Sequence, residues 1–341
     1  MQIVITGGAG FLGVRLARTL LKMGSLSLAG APAQAIRRIT LVDRASAPAD
    51  LLADGRVRAV VGDLNSLLQP VDGATACVPA DTDLVFHLAA AVSGECEADF
   101  DLGLRANLDA TRALLQACRA LSTRPTLVFA SSLAVFGNSP EQPLPEVILD
   151  NTLPTPQNSY GIQKFIGEQL VADFGRKGFV RARNLRLMTV SVRPGQPNGA
   201  ASSFLSGMIR EPLAGVRGAC PVAPETAVAL ASPARTIEGL ICAAQTSDAA
   251  WGPRTAMNLP AITTTAGEMA AALEQVAGKA GRDLIDWTPD ASIARIVTNW
   301  PSRIDAARAR ALGLLADTDF VSIVRDYVRE NPDAVKLATL P

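Results

Sequence analysis

The spacing of one tyrosine and one lysine is the first feature of this chain that suggests chemistry. Tyr160 and Lys164 are four residues apart, so on a helix their side chains share one face. A free phenol has a pKa of about 10, too high for a base at neutral pH, and a neighbouring ammonium lowers that pKa. The pair therefore predicts a tyrosine that exchanges a proton with a substrate oxygen, assisted by the charge of Lys164.

A glycine-rich turn at the start of the chain predicts where a dinucleotide would bind. The segment TGGAGFLG at 6–13 directly follows a short β-branched run. Gly7 permits a tight turn, Gly10 lets the backbone approach a pyrophosphate, and Gly13 lets the next helix pack closely on the strand. The N-terminus of that helix would then face the phosphates with its partial positive charge.

Short apolar runs alternate with amphipathic helix patterns through the first half of the chain. We predict strands over 2–6, 39–42, 57–61, 84–88, 126–130 and 182–192, and helices over 11–23, 104–120 and 159–174. This alternation predicts an α/β fold, a Rossmann doubly wound parallel sheet that binds ligands at the carboxyl ends of its strands.

The domain boundary is predicted where this alternation ends. We assign residues 1–192 to a nucleotide-binding domain and residues 193–341 mainly to a small substrate lobe, in which helices are predicted near 233–246, 266–279 and 317–330. A segment near 228–260 is a candidate to return to the first domain.

Acidic residues end the second and third predicted strands, where the adenosine half of a dinucleotide would lie. Asp43 is placed to bind the ribose hydroxyls and to repel a 2′-phosphate, which favours NAD over NADP. Arg44 follows directly and would attract that phosphate, so the strictness of the preference stays open. Asp63, which precedes Leu64, would accept the adenine amine or else only cap a turn.

Two serines and an asparagine complete the predicted catalytic group. Ser131 and Ser132 end the fifth strand, close to the Tyr160 helix in a sheet of this kind, and Ser132 would hydrogen-bond a substrate oxygen. Asn107 stands in a helix although asparagine is a poor helix former. It would bond the backbone near Ser132, hold a water linked to Lys164, or be only a surface polar residue.

The single histidine, His87, is an obvious candidate for a base. It lies inside an apolar strand, between Phe86 and Leu88. We therefore interpret it as a buried, hydrogen-bonded imidazole rather than as a catalytic residue.

Composition argues against several other classes of protein. The 341 residues are 48% hydrophobic and 19% charged, and the formal net charge of zero provides no overall field to attract nucleic acid or an anionic membrane. No apolar run is long enough to cross a bilayer. Five scattered cysteines show no metal-ligand spacing, and no basic segment leads an apolar signal core. We expect reduced thiols, no metal and a cytoplasmic protein.

Taken together, these motifs resemble the extended short-chain dehydrogenase/reductase family, which includes NAD-dependent epimerases and dehydratases. The resemblance spans residues 1 to about 195 and rests on TGGAGFLG at 6–13, Asp43, GDL at 62–64, FHLAA at 86–90, Asn107, SSLAVFG at 131–137, YGIQK at 160–164 and RPG at 193–195. Phe136 departs from it, because many sugar-nucleotide members carry a tyrosine there.

The resemblance implies Ser132, Tyr160 and Lys164 as catalytic residues with Asn107 in support, and NAD as the cofactor. It also implies a homodimer through helices 104–120 and 159–174. The predicted cofactor-binding residues are Gly7, Gly10, Phe11, Leu12, Gly13, Asp43, Asp63, Leu64, Leu88, Ala89, Ala90, Tyr160 and Lys164.

The C-terminal half narrows the expected substrate. SGECEADFD at 93–101, SVRPGQPNGAASSF at 191–204, GMIREPLAG at 207–215 and CPVAPET at 220–226 are similar to family members that oxidise the C2 hydroxyl of a four-carbon sugar acid. A guanidinium binds a carboxylate with two parallel bonds, so Arg193 and Arg210 are candidate anchors, unless each forms only a structural salt bridge. The predicted substrate residues are Ser93, Glu95, Ser132, Tyr160, Arg193, Asn198, Ser202 and Arg210.

Two other functions stay open from the residues alone. A nucleotide-sugar 4-epimerase or dehydratase uses the same serine, tyrosine and lysine but returns the hydride, and it must bind a nucleotide base. The chain has only 15 aromatic residues in all, and the lobe shows few on which to stack one. A redox-sensing protein would keep the nucleotide fold without catalysis, but both Tyr160 and Lys164 are present here.

Overall fold

A parallel sheet forms the centre of the computed structural model, which describes residues 1–70 and 75–340. Within those ranges the sheet has seven strands. Their spatial order is Met257–Asn258, Arg181–Leu187, Thr126–Ser132, Leu84–His87, Gln2–Thr6, Arg38–Asp43 and Val57–Val61. The order of connection reverses between Gln2–Thr6 and Leu84–His87, and a ligand crevice opens at such a switch point. The predicted α/β Rossmann fold is confirmed.

Helices cover both faces of this sheet, and its central strands are apolar on both sides for that reason. Ile3, Val4 and Ile5 are all buried on the first strand. The covering helices are Phe11–Met23, Ala49–Leu52, Leu64–Leu67, Ser93–Ala98, Phe100–Gly103, Ala110–Arg119, Ser159–Arg176, Pro233–Gln245, Asp248–Trp251 and Ala307–Ala311. A π-helical segment, Leu104–Asp109, joins two of them, and a 3₁₀ turn, Leu133–Val135, follows the fifth strand.

A smaller lobe packs its own core beside the carboxyl edge of the sheet. Leu205, Met208, Met269, Leu273 and Val324 are buried together there. The lobe contains a three-stranded sheet of Thr189–Val190, Ala227–Ala231 and Ile262–Thr265, and a pair of Gly218–Cys220 with Ile285–Trp287. Its helices are Phe204–Leu213, Ala266–Arg282, Ala291–Val297, Phe320–Glu330 and the 3₁₀ turn Pro332–Ala334. A short hairpin, Ser25–Leu26 with Gln34–Ala35, follows the first helix and buries Leu26 in the core of the main sheet.

The sixth strand differs from its prediction. Sequence pattern extends it over 182–192 as one element, but Arg181–Leu187 pairs in the main sheet and Thr189–Val190 pairs with Ala227–Ala231 in the lobe. The chain changes sheets at Met188, because an extended backbone can satisfy its hydrogen-bonding groups against whichever neighbouring strand is present. The segment 257–258 forms the outermost strand of the main sheet. Among the helices of the described ranges, none is both long and apolar enough to cross a membrane.

The helix Ser159–Arg176, which we call the active-site helix, packs unusually close to the fifth strand and its turn. A Cβ on Gly161 would lie 2.0 Å from the carbonyl oxygen of Ala134, and one on Gly167 would lie 2.7 Å from the ring of Phe129. Only glycine permits this approach without displacing backbone or ring. The close contact brings Tyr160 and Lys164 up to the end of the strand.

Candidate active site

The glycine turn has the geometry of a phosphate cradle. Gly7 has a φ of 71°, and a Cβ there would lie 2.8 Å from the backbone nitrogen of Ala89. A Cβ on Gly13 would lie 2.1 Å from the carbonyl oxygen of Gly7, so turn and helix are in direct contact. The helix Phe11–Met23 begins after Gly10, which has no side chain to cap it. Its first N–H groups are therefore available to an anion.

Two strand-end carboxylates hold the backbone next to this cradle. Asp43 accepts hydrogen bonds from the N–H of Ala9 at 3.0 Å and the N–H of Ala45 at 3.2 Å. It therefore fixes the glycine turn besides facing the crevice. Asp63 caps the short helix Leu64–Leu67 through one oxygen, Oδ1. The capping alternative for Asp63 is thus what the structure shows, and its contact with an adenine amine stays a prediction.

A continuous cavity of about 1010 Å³ runs along the carboxyl edge of the sheet. It holds all the predicted cofactor residues: Gly7, Gly10, Phe11, Leu12, Gly13, Asp43, Asp63, Leu64, Leu88, Ala89, Ala90, Tyr160 and Lys164. Its other end is lined by the predicted substrate residues Ser93, Glu95, Ser132, Arg193, Asn198, Ser202 and Arg210. Cofactor and substrate positions therefore share one space, as a transfer between two bound molecules requires.

Ser132, Tyr160 and Lys164 meet between those two ends. Lys164 is 4% exposed, and its Nζ donates to the carbonyl oxygen of Ala130 at 2.9 Å. The same nitrogen lies 5.7 Å from the centre of the Tyr160 ring. A buried ammonium beside a phenol is the arrangement that the i, i+4 spacing predicted. The fold brings Ser132 within hydrogen-bonding distance of the same phenol.

The two titratable groups are shifted in opposite directions. Burial raises the pKa of Tyr160 to about 12, against a hydrogen bond from Ser132 and the charge of Arg193, which both lower it. Burial lowers the pKa of Lys164 to about 8. In both cases the apolar surroundings disfavour the charged form. Lys164 therefore stays mostly protonated at neutral pH, and Tyr160 needs nearby positive charge to act as a base.

The buried Glu168, which the sequence analysis missed, fixes the strand end behind this group. Ser131 donates to Glu168 Oε1 at 2.5 Å, and Arg186 donates to both oxygens of Glu168 at 2.9 and 2.8 Å. Glu168 and Arg186 are 1% and 3% exposed. The only signal in the sequence was a glutamate four residues after Lys164 on the same helix. Its arginine partner lies on a strand of the sheet.

Asn107 is buried, but its partners differ from those expected. Its Oδ1 accepts from the N–H of Ala91 at 2.8 Å, and its Nδ2 donates to the carbonyl oxygen of Ala91 and to Gln163 Oε1. The expected bond to the backbone near Ser132 is not among these, and the surface interpretation is wrong. The reason is topological: this helix follows the fourth strand, and the backbone groups of Ala91 leave the sheet there and need partners.

Gln163 was also missed, although it stands directly before Lys164 in the sequence. It is 2% exposed and joins the active-site helix to Asn107, hence to the turn at Ala91. His87 behaves as interpreted: it is buried, bonded to the hydroxyls of Thr6 and Thr111, and burial lowers its pKa to about 3.

Three of the predicted substrate residues accept hydrogen bonds from the backbone. Ser93 Oγ accepts from the N–H of Ala201 at 3.0 Å, which ties the end of the fourth strand to the lobe. Glu95 accepts from the N–H of Val92 and so caps its own helix. Asn198 accepts from a neighbouring N–H through Oδ1. The Ser93 hydroxyl and the Glu95 and Asn198 oxygens thus already have partners within the protein.

The two candidate arginines differ sharply. Arg210 is 7% exposed, donates to the carbonyl oxygen of Arg193 at 2.8 Å and pairs with Glu211. The Arg193 guanidinium has no hydrogen-bond or ion-pair partner within residues 1–70 and 75–340, and it faces the cavity. Burial and the nearby Arg210 lower the pKa of Arg193. A half-buried cation without a partner is a site for an anion.

The chain is similar to several known proteins. The model of the NAD dependent epimerase/dehydratase family matches residues 3–225. The chain is 50% identical to a D-erythronate dehydrogenase of Cupriavidus necator over 97% of this chain and 98% of that one. It is 41% identical to a D-erythronate dehydrogenase of Haemophilus influenzae over 96% and 99%. A solved nucleoside-diphosphate-sugar epimerase of Agrobacterium tumefaciens has a TM-score of 0.84 and 38% identity, over 98% of this chain and 95% of that one.

Asp43 is expected to set the preference for NAD. Asp43→Ser removes the charge that repels a 2′-phosphate and leaves the exposed Arg44 to attract one. The ratio of kcat/KM with NADP to that with NAD should rise by about one to two orders of magnitude, since charge-assisted contacts contribute about 1.5–3 kcal/mol. Asp50→Ser, on the outer surface, should leave the ratio unchanged. An unchanged ratio in the Asp43 variant would mean that another residue reads the ribose.

Tyr160 is expected to act as the base in oxidation. Tyr160→Phe should lower turnover by about 10²–10⁴-fold at every pH, with little change in NAD affinity. Ser132→Ala should act differently. Its hydrogen bond lowers the pKa of Tyr160, so its removal raises that pKa and moves the pH dependence of kcat/KM to higher pH.

The pH profile distinguishes the two variants. Oxidation needs the deprotonated phenol, so the loss in Ser132→Ala should be largest near neutral pH and should shrink as the pH rises. A Ser132→Ala profile with the wild-type midpoint, or Tyr160→Phe with most of its turnover, would contradict the assigned roles.

Proposed function

The chain belongs to the NAD dependent epimerase/dehydratase family, and we infer its reaction from this membership. It is an NAD-dependent oxidoreductase that acts on a CH–OH group. Its reaction is the oxidation of the C2 hydroxyl of a small sugar acid, D-erythronate, to 2-dehydro-D-erythronate. The observation that carries this assignment is the unpartnered guanidinium of Arg193 in the same cavity as Ser132, Tyr160 and Lys164.

The residues of the crevice fit a dinucleotide. The turn at Gly7 and the uncapped helix that begins after Gly10 would bind the pyrophosphate, and Asp43 would bind the adenosine ribose. Lys164, whose Nζ lies beside the Tyr160 ring, would bind the ribose next to the nicotinamide. When bound, NAD supplies the ring carbon that accepts a hydride from the substrate.

Tyr160 and Ser132 would both contact the oxygen of the reacting hydroxyl. The phenolate of Tyr160 takes the proton from the C2 oxygen as the carbonyl forms, while Ser132 donates a hydrogen bond to the same oxygen. The charges of Lys164 and Arg193 stabilise the phenolate, against the burial that raises its pKa. Both positive charges are thus needed for a base that works near neutral pH.

Arg193 would bind the carboxylate of the substrate. In a 2-hydroxy acid the carboxylate is one bond from the reacting carbon, so its anchor must line the same part of the cavity as Tyr160. Arg193 does so, and its positive charge lowers the pKa of Tyr160. Arg210 holds the backbone of Arg193 and so supports it as the anchor. Ser93, Ser202 and Asn198 line the same cavity and would contact the bound acid.

A nucleotide-sugar epimerase is the second candidate, favoured by the likeness to the Agrobacterium tumefaciens structure. The two candidates differ in the fate of the hydride. We therefore expect purified protein to accumulate NADH, measured by its absorbance, when it is given NAD and D-erythronate. No net NADH with sugar acids of four to six carbons, together with interconversion of a nucleotide sugar, would refute the dehydrogenase.

Arg193 is expected to recognise the carboxylate. Arg193→Met keeps much of the apolar stem and removes the fork, so binding of D-erythronate should weaken by about 2–5 kcal/mol, the usual cost of truncating one partner of a buried charge pair. The corresponding neutral polyol should lose much less, and KM or a direct titration measures both. Arg295→Met, at an exposed arginine of the lobe, is the matched control. Equal losses for acid and polyol would remove the basis of the small-acid assignment.

We propose that the protein is a homodimer. Apolar side chains are exposed along the active-site helix and the neighbouring Phe100–Gly103: Ile162 is 46%, Ile166 37% and Phe100 60% exposed. Ile162→Glu should convert a dimer to a monomer in light scattering, because a charge at a packed apolar seam is not paired. Val216→Glu, at an exposed apolar residue of the lobe, should not. A monomeric wild-type protein would refute the dimer.

A cytoplasmic location is likewise a proposal. It is supported by five cysteines that are free thiols, four of them buried. Recovery of the protein with an extracytoplasmic fraction of fractionated cells would contradict it.

A further inference from the structure

We propose that Trp300 sets the longest sugar acid that the active site accepts. Trp300 comes from the segment between the helices Ala291–Val297 and Ala307–Ala311, far along the chain from the residues of the predicted catalytic group. It nevertheless lines the same cavity as Ser132 and Arg193. The proposal rests on the function proposed above and makes its substrate class narrower.

The indole lies next to the reacting position. Trp300 packs against a buried cluster formed by Leu133, Met188, Ala229 and Ala231. Leu133 directly follows Ser132, whose hydroxyl would contact the reacting oxygen, and Met188 follows the neighbouring strand at the carboxyl edge of the sheet. The ring therefore lines the cavity while it packs against a cluster that includes the residue next to Ser132.

Hydrogen bonds hold the backbone on both sides of Trp300. The carbonyl of Asn299 accepts from the N–H of Asn138 at 3.0 Å, and the carbonyl of Arg303 accepts from the N–H of Ile148 at 3.0 Å. The carbonyl of Ser302 accepts from the Thr263 hydroxyl at 2.6 Å. These bonds tie both sides of Trp300 to the loop after the fifth strand and to the lobe.

The direction of the substrate chain follows from the four groups on C2. The hydroxyl must reach Tyr160 and Ser132, the carboxylate must reach Arg193, and the hydrogen must face the cofactor. The fourth group is C3, and we assign it to the remaining side, which Trp300 closes. A four-carbon acid extends only two carbons beyond C2, and each additional carbon would press on a ring whose backbone segment is held on both sides. A clash of this kind rejects the longer substrate without any contact to the shorter one.

The indole can be replaced without breaking a hydrogen bond within the protein. Trp300 Nε1 is buried and has no acceptor in the part of the chain that the structure describes. A smaller side chain therefore removes volume and apolar packing but no hydrogen bond, and the backbone bonds that hold the segment remain.

The experiment compares kcat/KM for aldonic acids of four, five and six carbons with the same configuration at C2. In Trp300→Ala, and to a lesser extent in Trp300→Leu, the ratio of the longer acids to D-erythronate should rise by about tenfold or more, since one methylene in a fitted pocket is worth about 10–200-fold. Trp287→Ala is the matched control, because that ring is 39% exposed on a lobe strand. It should keep the wild-type ratio.

Each outcome bears on one claim. A wild-type protein that oxidises D-erythronate, with an unchanged chain-length ratio in the Trp300 variants, overturns the role of Trp300 and leaves the proposed function intact. A wild-type protein that oxidises no sugar acid overturns the proposed function itself. If Trp300→Ala does not fold, as circular dichroism would show, Trp300→Leu decides the question, because it keeps an apolar side chain in the same packing.

Discussion

The close packing of the active-site helix on the fifth strand is the constraint on which the candidate site depends. Glycines at 161 and 167 permit the approach, and the buried pair of Glu168 with Arg186 locks it. Removing one partner of such a pair costs about 3–5 kcal/mol, because the other charge is left buried and unpaired. Because Glu168 also holds Ser131, one interaction sets the height of Tyr160 and Lys164 relative to the strand end.

Positive charge is concentrated around Tyr160, while burial keeps the nearby His87 neutral. Lys164 and Arg193 both lie where their charge acts on the site, and burial together with Lys164 holds the pKa of His87 at about 3. A site with two cations favours a phenolate and an anionic substrate together. The same balance makes a neutral substrate a poor ligand, since it would leave Arg193 without a partner.

Much of the fold and part of the site could be predicted because the signals are local. The glycine turn, the strand-end Asp43 and the tyrosine–lysine pair each lie within eight residues, and local spacing decides their geometry. Asn107 was predicted to belong to the catalytic group, but its partner Ala91 depends on which strand end the helix passes. Glu168 with Arg186, and Trp300, escaped prediction because their partners are on other elements.

The sequence by itself determined the type of chemistry, since the residue types and spacings that bind a dinucleotide and move a proton occur in short segments. It also determined the alternation of strands and helices that brings those segments to the carboxyl edge of the sheet. Only the tertiary structure decided between the arginines: Arg210 is engaged with Arg193 and Glu211, and the Arg193 guanidinium is left facing the cavity. The physical reason is that pairing and burial depend on distances through space between residues of different elements, and these distances do not follow from separation along the chain.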